Sequence, residues 1–415
     1  MAISSRELDQ YEIDNRLYHE IHVSQIREYK KCAWAHDWKY KDQLYPNVVA
    51  KPLEFGTAMH LGFEYLMNPQ YKDASLSIVL PLAKSAFITE CKKQRDAVPQ
   101  NIFMTRDELT DEYQSRIELG QRMLEYYAFE IKPIVDKDTE PLYVEKNFIV
   151  PIPGVTKCVC YQCFSRWEKY LDNMSDEQYA EYWKGSRFPT DSELFDRFKG
   201  LPVVLEGKID LILKDKNTGK VWVRDWKNVN SLSSDYEWLE NDEQLNLYLM
   251  ALWLLGLDIA GFQYFELKKA VPGPPKKLTR KYAGKWFSTD KNQDTTFEIF
   301  VETLRAADEP FEPYIEYLEF LKERGTDHYF RLNKVRRDAK AMRMQYTNLV
   351  AVVSEMIERP KYYPTPTKFG CKFCEFRAPC IERMQDNDPQ GLLDVSFTKK
   401  PHYYEVRDNE MKYAL

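Results

Sequence analysis

The stretch Leu205–Asn228 constrains this chain more than any other part of it. It reads LEGKIDLILK, then DKNTG, then KVWVRDWKN: two apolar runs of strand length around a turn of Asp, Asn, Thr and Gly. Branched and aromatic residues favour strands, and the Asp215–Gly219 turn closes them into an antiparallel hairpin. Side chains alternate along a strand. Asp210 is therefore expected on one face with Lys208 and Glu206, and Ile209 and Leu211 on the other; on the second strand Asp225 shares a face with Lys227. Pairing through the turn brings two carboxylates and an ammonium together. Such carboxylates can hold Mg²⁺ or Mn²⁺ through hard oxygen ligands, and the Trp226 carbonyl can add another. A cation held there acidifies a water and offsets charge on phosphoryl oxygens, while Lys227 orients or deprotonates that water. The trio suits phosphodiester hydrolysis. A D-x-K on its own is more often a surface ion pair; the upstream strand Asp is what distinguishes this one. Glu206 and Glu145 are weaker candidates for a further ligand.

The rest of the chain is organised around that hairpin. At 415 residues with 44% apolar content it can bury a core and form two or three compact units. Residues 1–140 read as a mainly helical region, with a helix over 22–40 capped by Ser24, another over 54–67 and more helix over 74–129. On the 54–67 helix Gly56 and His60 share a face, and the small residue would let another backbone approach the imidazole. Residues 141–270 read as the core sheet: strands over 142–152, 201–213 and 220–227, a helix over 236–255 and a strand over 261–267, with an insertion at 153–200. Residues 271–360 read as helical with an interruption at 325–332, and residues 361–415 as a cysteine-bearing end and tail. The fold class is α/β, a mixed sheet flanked by helices. No repeat and no phosphate-binding GxxxxGK[ST] loop occurs, which gives no sign of an ATP-driven motor.

The net charge of −6 and pI near 5.8 exclude coating of nucleic acid by bulk attraction. Phosphate contacts must be local, and two basic stretches qualify: Lys276–Lys285 and Arg331–Arg343, each with an aromatic residue nearby. Either reads equally well as a solvated surface. The N-terminal MAISSRELDQYEID lacks a secretory pattern, and the apolar run Leu247–Leu257 is shorter than the ~20 residues needed to span a bilayer. The expectation is a cytoplasmic protein with no membrane association.

Cysteine spacing adds a second signal. Cys371, Cys374 and Cys380 follow C-x2-C-x5-C, and Cys32 lies far upstream. Three near thiols and one remote one fit a four-cysteine metal centre that staples the two ends of the chain. A zinc site with four thiolates uses the same ligands. Cys158, Cys160 and Cys163 form a separate group in the insertion, with no local fourth ligand.

Four motifs now stand in order: the G-x-x-x-H of FGTAMH (Gly56, His60), the G-x-x-D of GKID (Gly207, Asp210), the D-x-K of DWK (Asp225, Lys227) and the Q-x-x-x-Y of QLNLY (Gln244, Tyr248). In this order the chain resembles the RecB-like branch of the PD-(D/E)XK nucleases, which includes CRISPR-associated RecB-like exonucleases and the nuclease domains of AddB and RecB. The resemblance spans Gly56 to Tyr248 and extends to Cys32 and the three C-terminal cysteines. It implies a restriction-endonuclease-like core, with His60 joining Asp210 and Asp225 as a metal ligand and Gln244 and Tyr248 supporting the site or the DNA. It also implies a [4Fe-4S] cluster on Cys32, Cys371, Cys374 and Cys380 that joins the helical ends, with Zn²⁺ as the alternative.

The function that follows is a metal-dependent DNA exonuclease or nuclease acting on single strands or ends. By resemblance to phage-encoded members it would serve recombination, replication or DNA degradation in a host cytoplasm, alone or with a helicase or recombination partner. A non-catalytic nucleic-acid-binding or assembly protein that keeps the fold is the competing class, and an RNA-directed nuclease a third. Retention of Asp210, Asp225 and Lys227 together argues for catalysis.

Overall fold

The computed structural model describes residues 11–13, 16–47, 51–98, 106–156, 202–254, 257, 259–358 and 363–399. The insertion cysteines Cys158, Cys160 and Cys163 lie outside them. Strands β1 (Tyr11–Ile13) and β2 (Arg16–His22) lead into helix α1 (Val23–Lys31). The cap of α1 is His22, not Ser24: its N–H donates to the Gln25 side chain at 3.3 Å. Cys32 then adopts extended backbone (φ −163°, ψ 119°) before a second short helix, α2 (Ala33–His36). The helix expected over 22–40 is thus broken at the cysteine. After β3 (Leu44–Pro46) come α3 (Lys51–Met67), α4 (Leu76–Ala97), α5 (Arg106–Tyr126) and the single turn α6 (Lys132–Val135).

The core strands are β4 (Thr139–Thr156), β5 (Pro202–Asp215) and β6 (Val221–Val229), followed by α7 (Glu243–Leu254) and β7 (Ile259–Lys268). Beyond them lie a hairpin of β8 (Lys277–Tyr282) and β9 (Lys285–Phe287), helices α8 (Phe297–Ala306) and α9 (Ile315–Arg324), strand β10 (Phe330–Arg336) and helix α10 (Ala339–Glu358). Three short helices, α11 (Lys368–Lys372), α12 (Arg377–Met384) and α13 (Gln390–Ser396), and strand β11 (Phe397–Lys399) complete the described chain.

The hairpin forms as its sequence demands. Asp215 Oδ1 accepts the N–H groups of Asn217 and Thr218, each at 2.9 Å, and Gly219 takes φ 72°, a conformation that costs glycine little. The register runs from Lys214↔Val221 to Leu211↔Arg224 and stops there. In the resulting mixed sheet the order is β1-β2-β5-β6-β7-β10, with β4 on the other edge of β5. β4 and β6 lie antiparallel to β5, β2 parallel to it, and β7 parallel to β6. β10, which begins inside the interruption expected at 325–332 and runs past it into residues expected to be helical, pairs antiparallel with β7 and extends the sheet.

Helices cover both faces. Ile209, Ile212, Val221 and Val223 pack with Val23 and Ile26 of α1 and with the apolar stripes of α7 and α10. Leu211, Leu213, Trp222 and Trp226 pack against α3, α4 and α5 on the other face. Strict alternation would put Ile209 and Leu211 together, so the face pattern of β5 breaks across Asp210. β4 breaks at the same level, where Glu145 takes φ 49° between the ladder pairs Val144↔Leu211 and Lys146↔Ile209. Such a paired irregularity has the effect of a bulge, re-aiming side chains locally. A smaller apolar cluster joins β9, α8 and α9, and another lies in the cysteine-bearing end.

Gly207 has a packing reason for being glycine. Its partner across the ladder is Phe148, and a Cβ on Gly207 would lie 2.5 Å from that ring. The same ring packs edge-on against Tyr248 at 5.9 Å. Gly207→Ala is expected to destabilise the chain by about 1–3 kcal/mol, the usual cost of overpacking. In urea unfolding, adding it to Phe148→Ala should cost almost nothing further; an additive loss would place the strain elsewhere.

Candidate active site

The end of the β5–β6 ladder creates the site. The next pair in register would be Asp210 and Asp225, but the strands part after Leu211↔Arg224, and residues 225–229 of β6 pair with β7 instead. Trp226 N–H, on the edge that β5 leaves, donates to Asp210 Oδ2 at 3.0 Å. A side-chain carboxylate thus takes the place of a backbone acceptor at the fork.

His60 reaches the fork from α3. Its Nδ1 lies 3.2 Å from Glu145 Oε1 and 3.6 Å from Asp210 Oδ1, while its Nε2 lies 3.2 Å from the Trp226 carbonyl oxygen. Phe63, one turn on from His60, packs on the Trp226 ring at 4.9 Å and fixes the helix against β6. The second oxygen of Glu145 pairs with Lys208. Asp225, only 3% exposed, pairs with Lys227 through an Nζ–Oδ2 contact of 2.6 Å. Tyr264 lies beside Asp225 in the β6–β7 register. A backbone atom, the Trp226 carbonyl oxygen, does lie beside the imidazole, but a Cβ on Gly56 would meet nothing within 4 Å, so the small size of that glycine is not what admits it.

The charges at the fork hold one another. Burial disfavours the charged imidazole of His60, but the carboxylates of Asp210 and Glu145 outweigh it and lift its pKa to about 9. Burial, opposed in part by His60, raises Asp210 to about 6. Lys227 is only partly buried, and Asp225 and Asp210 push its pKa above the ordinary lysine value. In the metal-free chain it is therefore held as an ammonium, suited to charge compensation and orientation.

Among the described residues, one group of three or more side chains converges closely enough to ligate one metal ion: His60, Glu145 and Asp210, with donor atoms mutually within 4.8 Å. Glu145, a minor candidate in the sequence, stands at the centre of the site. The signal that could have found it is its register: with a regular ladder it lies directly across from Asp210. Asp225 and Lys227 complete the cluster electrostatically. Gln244 and Tyr248 bond to each other (Nε2 to OH, 2.8 Å), and Gln244 accepts from Arg27 of α1. They tie α7 to α1.

The cysteines converge as well. Cys32, Cys374 and Cys380 pack around the core of Trp38, Phe376, Leu393 and Phe397. Burial, then the neighbouring sulfurs of Cys32, Cys374 and Cys371, push the Cys380 thiol up. Thr367 N–H donates to Cys371 Sγ at 3.3 Å. β11 pairs antiparallel with β3, and Lys39 pairs with Glu375 at 2.9 Å, so the two ends of the chain meet here. Among the described residues no three of these sulfurs lie mutually within 4.8 Å. The basic stretches divide. β8 projects Lys277, Arg280 and Lys281 outward, whereas Arg337 turns inward to Glu240 (2.7 Å) and Asn246 (2.8 Å).

A mixed α/β sheet that gathers acids and a lysine where two central strands part defines the architectural class of a PD-(D/E)XK nuclease core. A profile of the PD-(D/E)XK nuclease superfamily matches residues 20–381, and the chain belongs to that superfamily. No curated protein matches it. Membership brings with it phosphodiester hydrolysis by a nuclease whose relatives typically use divalent metals. No helix among the described residues is long and apolar enough to cross a membrane.

A pKa raised by folding stabilises the fold at pH below the unfolded value, and this contribution is lost as pH rises through the folded value. For His60 that window runs from about 6.5 to about 9 in the metal-free chain. An NMR titration should show its imidazole still protonated at pH 8, and Asp210→Asn should bring the midpoint down. A midpoint near the ordinary histidine value in the parent chain would refute the charge arrangement.

Proposed function

We propose that the chain is a metal-dependent deoxyribonuclease of the RecB-like branch, an exonuclease on single strands or ends, serving recombination, replication or DNA degradation. The observation that carries this reading is the fork: His60 and Asp210 converge with Glu145 closely enough to share one ion, the Trp226 carbonyl lies 3.2 Å from His60 Nε2, and the Asp225–Lys227 pair acts on Asp210 from beside them. Hard oxygens and one imidazole suit Mg²⁺ or Mn²⁺, and the donor set fits. Such a cation, when bound, lowers the pKa of its water and compensates charge on phosphoryl oxygens. Lys227, kept charged by Asp225, orients the attacking water and pairs with a non-bridging oxygen of the phosphate. Asp210, bonded to Trp226 N–H, keeps that residue's carbonyl aimed at the same point. Glu145 holds the imidazole and Lys208 neutralises Glu145. Gln244 and Tyr248 brace α7 beside the strand through Phe148.

The test is cleavage of end-labelled single- and double-stranded DNA with Mn²⁺, Mg²⁺ or EDTA. We expect metal-dependent shortening from an end, with Asp225→Ala slower by about a hundredfold or more, the scale of losing one transition-state charge stabiliser. DNA bound but never cut, with Asp225→Ala indistinguishable, would instead identify a non-catalytic nucleic-acid-binding protein; cutting confined to RNA would reassign the substrate.

We propose further that Cys32, Cys371, Cys374 and Cys380 hold a [4Fe-4S] cluster. What supports this reading is that Cys32, Cys374 and Cys380 gather around one small core and that the sulfurs of Cys32, Cys374 and Cys371 act on Cys380; four thiolates would equally hold tetrahedral zinc, which the following test separates. Anaerobically purified protein should be brown, with broad absorbance near ~400 nm and bound iron. Cys32→Ser should lose that colour and lower the melting temperature and the metal-dependent activity together. Colourless protein with stoichiometric zinc would refute the cluster.

A further inference from the structure

We infer that Glu145 is a positioning residue for His60, fixing the ring proton on Nδ1 so that Nε2 is the atom presented to the cation; this rests on the metal reading above. A neutral imidazole carries one N–H, and the hydrogen bond made by one nitrogen decides the role of the other. Nδ1 faces the carboxylate of Glu145 at 3.2 Å, with Asp210 Oδ1 beyond it at 3.6 Å. A carboxylate accepts and cannot donate when ionised, so the proton of the neutral ring belongs on Nδ1. Nε2 then points its lone pair at the Trp226 carbonyl oxygen, 3.2 Å away. Two lone pairs so placed repel unless a proton or a cation lies between them. Neighbouring ligands of an octahedral cation with bonds of about 2.1 Å are themselves about 3.0 Å apart, so this pair of atoms is spaced for one.

The rest of the molecule is arranged to hold Glu145 for this task. Its second oxygen is taken by Lys208, and the side chain is 9% exposed. Its backbone sits in the left-handed region, at φ 49°, where a residue other than glycine is strained. That conformation lies at the one level where both β4 and β5 break their alternation, and it turns the carboxylate toward α3. A carboxylate behind a ligating histidine raises its basicity and locks its orientation; removing such a group weakens metal binding about 10–100-fold.

The test reads Mn²⁺ binding by the full chain, from the electron paramagnetic resonance of the free ion, without using activity. Glu145→Ala should weaken Mn²⁺ binding about 10–100-fold. Glu145→Gln, which keeps an acceptor for Nδ1–H, should recover part of that loss. In a His60→Ala background Glu145→Ala should change the affinity by less than about twofold, because a residue acting through another has no effect once that residue is gone. An equal loss in both backgrounds would make Glu145 a ligand in its own right and overturn the inference, as would no loss in the parent. If the Glu145 variants do not fold, Lys208→Gln, which frees the second Glu145 oxygen, should weaken binding by a smaller factor, and unchanged binding would count against the inference. A parent chain that binds no Mn²⁺ overturns the metal reading itself, whereas binding by the parent that Glu145→Ala leaves intact overturns only the role of Glu145.

Discussion

The hydrogen bond from Trp226 N–H to Asp210 is the interaction on which the site depends. Where β6 leaves β5 a buried backbone donor loses its ladder acceptor, and an unsatisfied one costs about 1–3 kcal/mol. Asp210 fills that role with one oxygen and turns the other toward His60. The fork therefore stays open without an orphaned N–H, and the Trp226 carbonyl is aimed by the same residue. The arrangement gathers three carboxylates, Glu145, Asp210 and Asp225, whose mutual repulsion needs offsetting. Three cations do this: His60, Lys208 and Lys227. In the metal-free chain the site is close to neutral only because the imidazole carries its proton. A divalent cation in contact with Nε2 displaces that proton, so binding of the ion and deprotonation of His60 are one equilibrium.

Much of this was legible in the amino-acid sequence because it depends on local rules. The DKNTG turn, the strand periods on either side and the offset between Asp210 and the D-x-K together determine the hairpin register. One register is enough to bring Asp210 and Asp225 to the same level. His60 was found by its place in a motif series; an imidazole on an amphipathic helix has no signal of its own. Glu145 was undervalued for a physical reason. Its contribution requires a left-handed backbone at a non-glycine residue, which no local preference announces, and a break in alternation that moves Leu211 off the face of Ile209. β10 was hidden for a related reason. Pairing with β7, distant in sequence, decides its conformation, and its own residues FRLNKVR are too polar to read as a core strand.

The cysteine-bearing end of the chain meets α1 directly. Cys32 ends α1, and α1 packs with α7 and α10 on the face of the sheet opposite α3. A metal centre there would brace α1 directly, and with it Arg27 against Gln244 and Lys30 against Glu243 at 2.8 Å. From Gln244 the contacts continue to Tyr248, to Phe148 and to Gly207, three residues before Asp210. Coupling to His60 takes the other route, through β3, whose pairing with β11 anchors the chain just before α3. The two halves of the site, acid strand and histidine helix, thus reach the cysteine-bearing end by separate paths. Loosening that end would allow β5 and α3 to shift independently, and the His60–Asp210 separation is the quantity most exposed to such a shift.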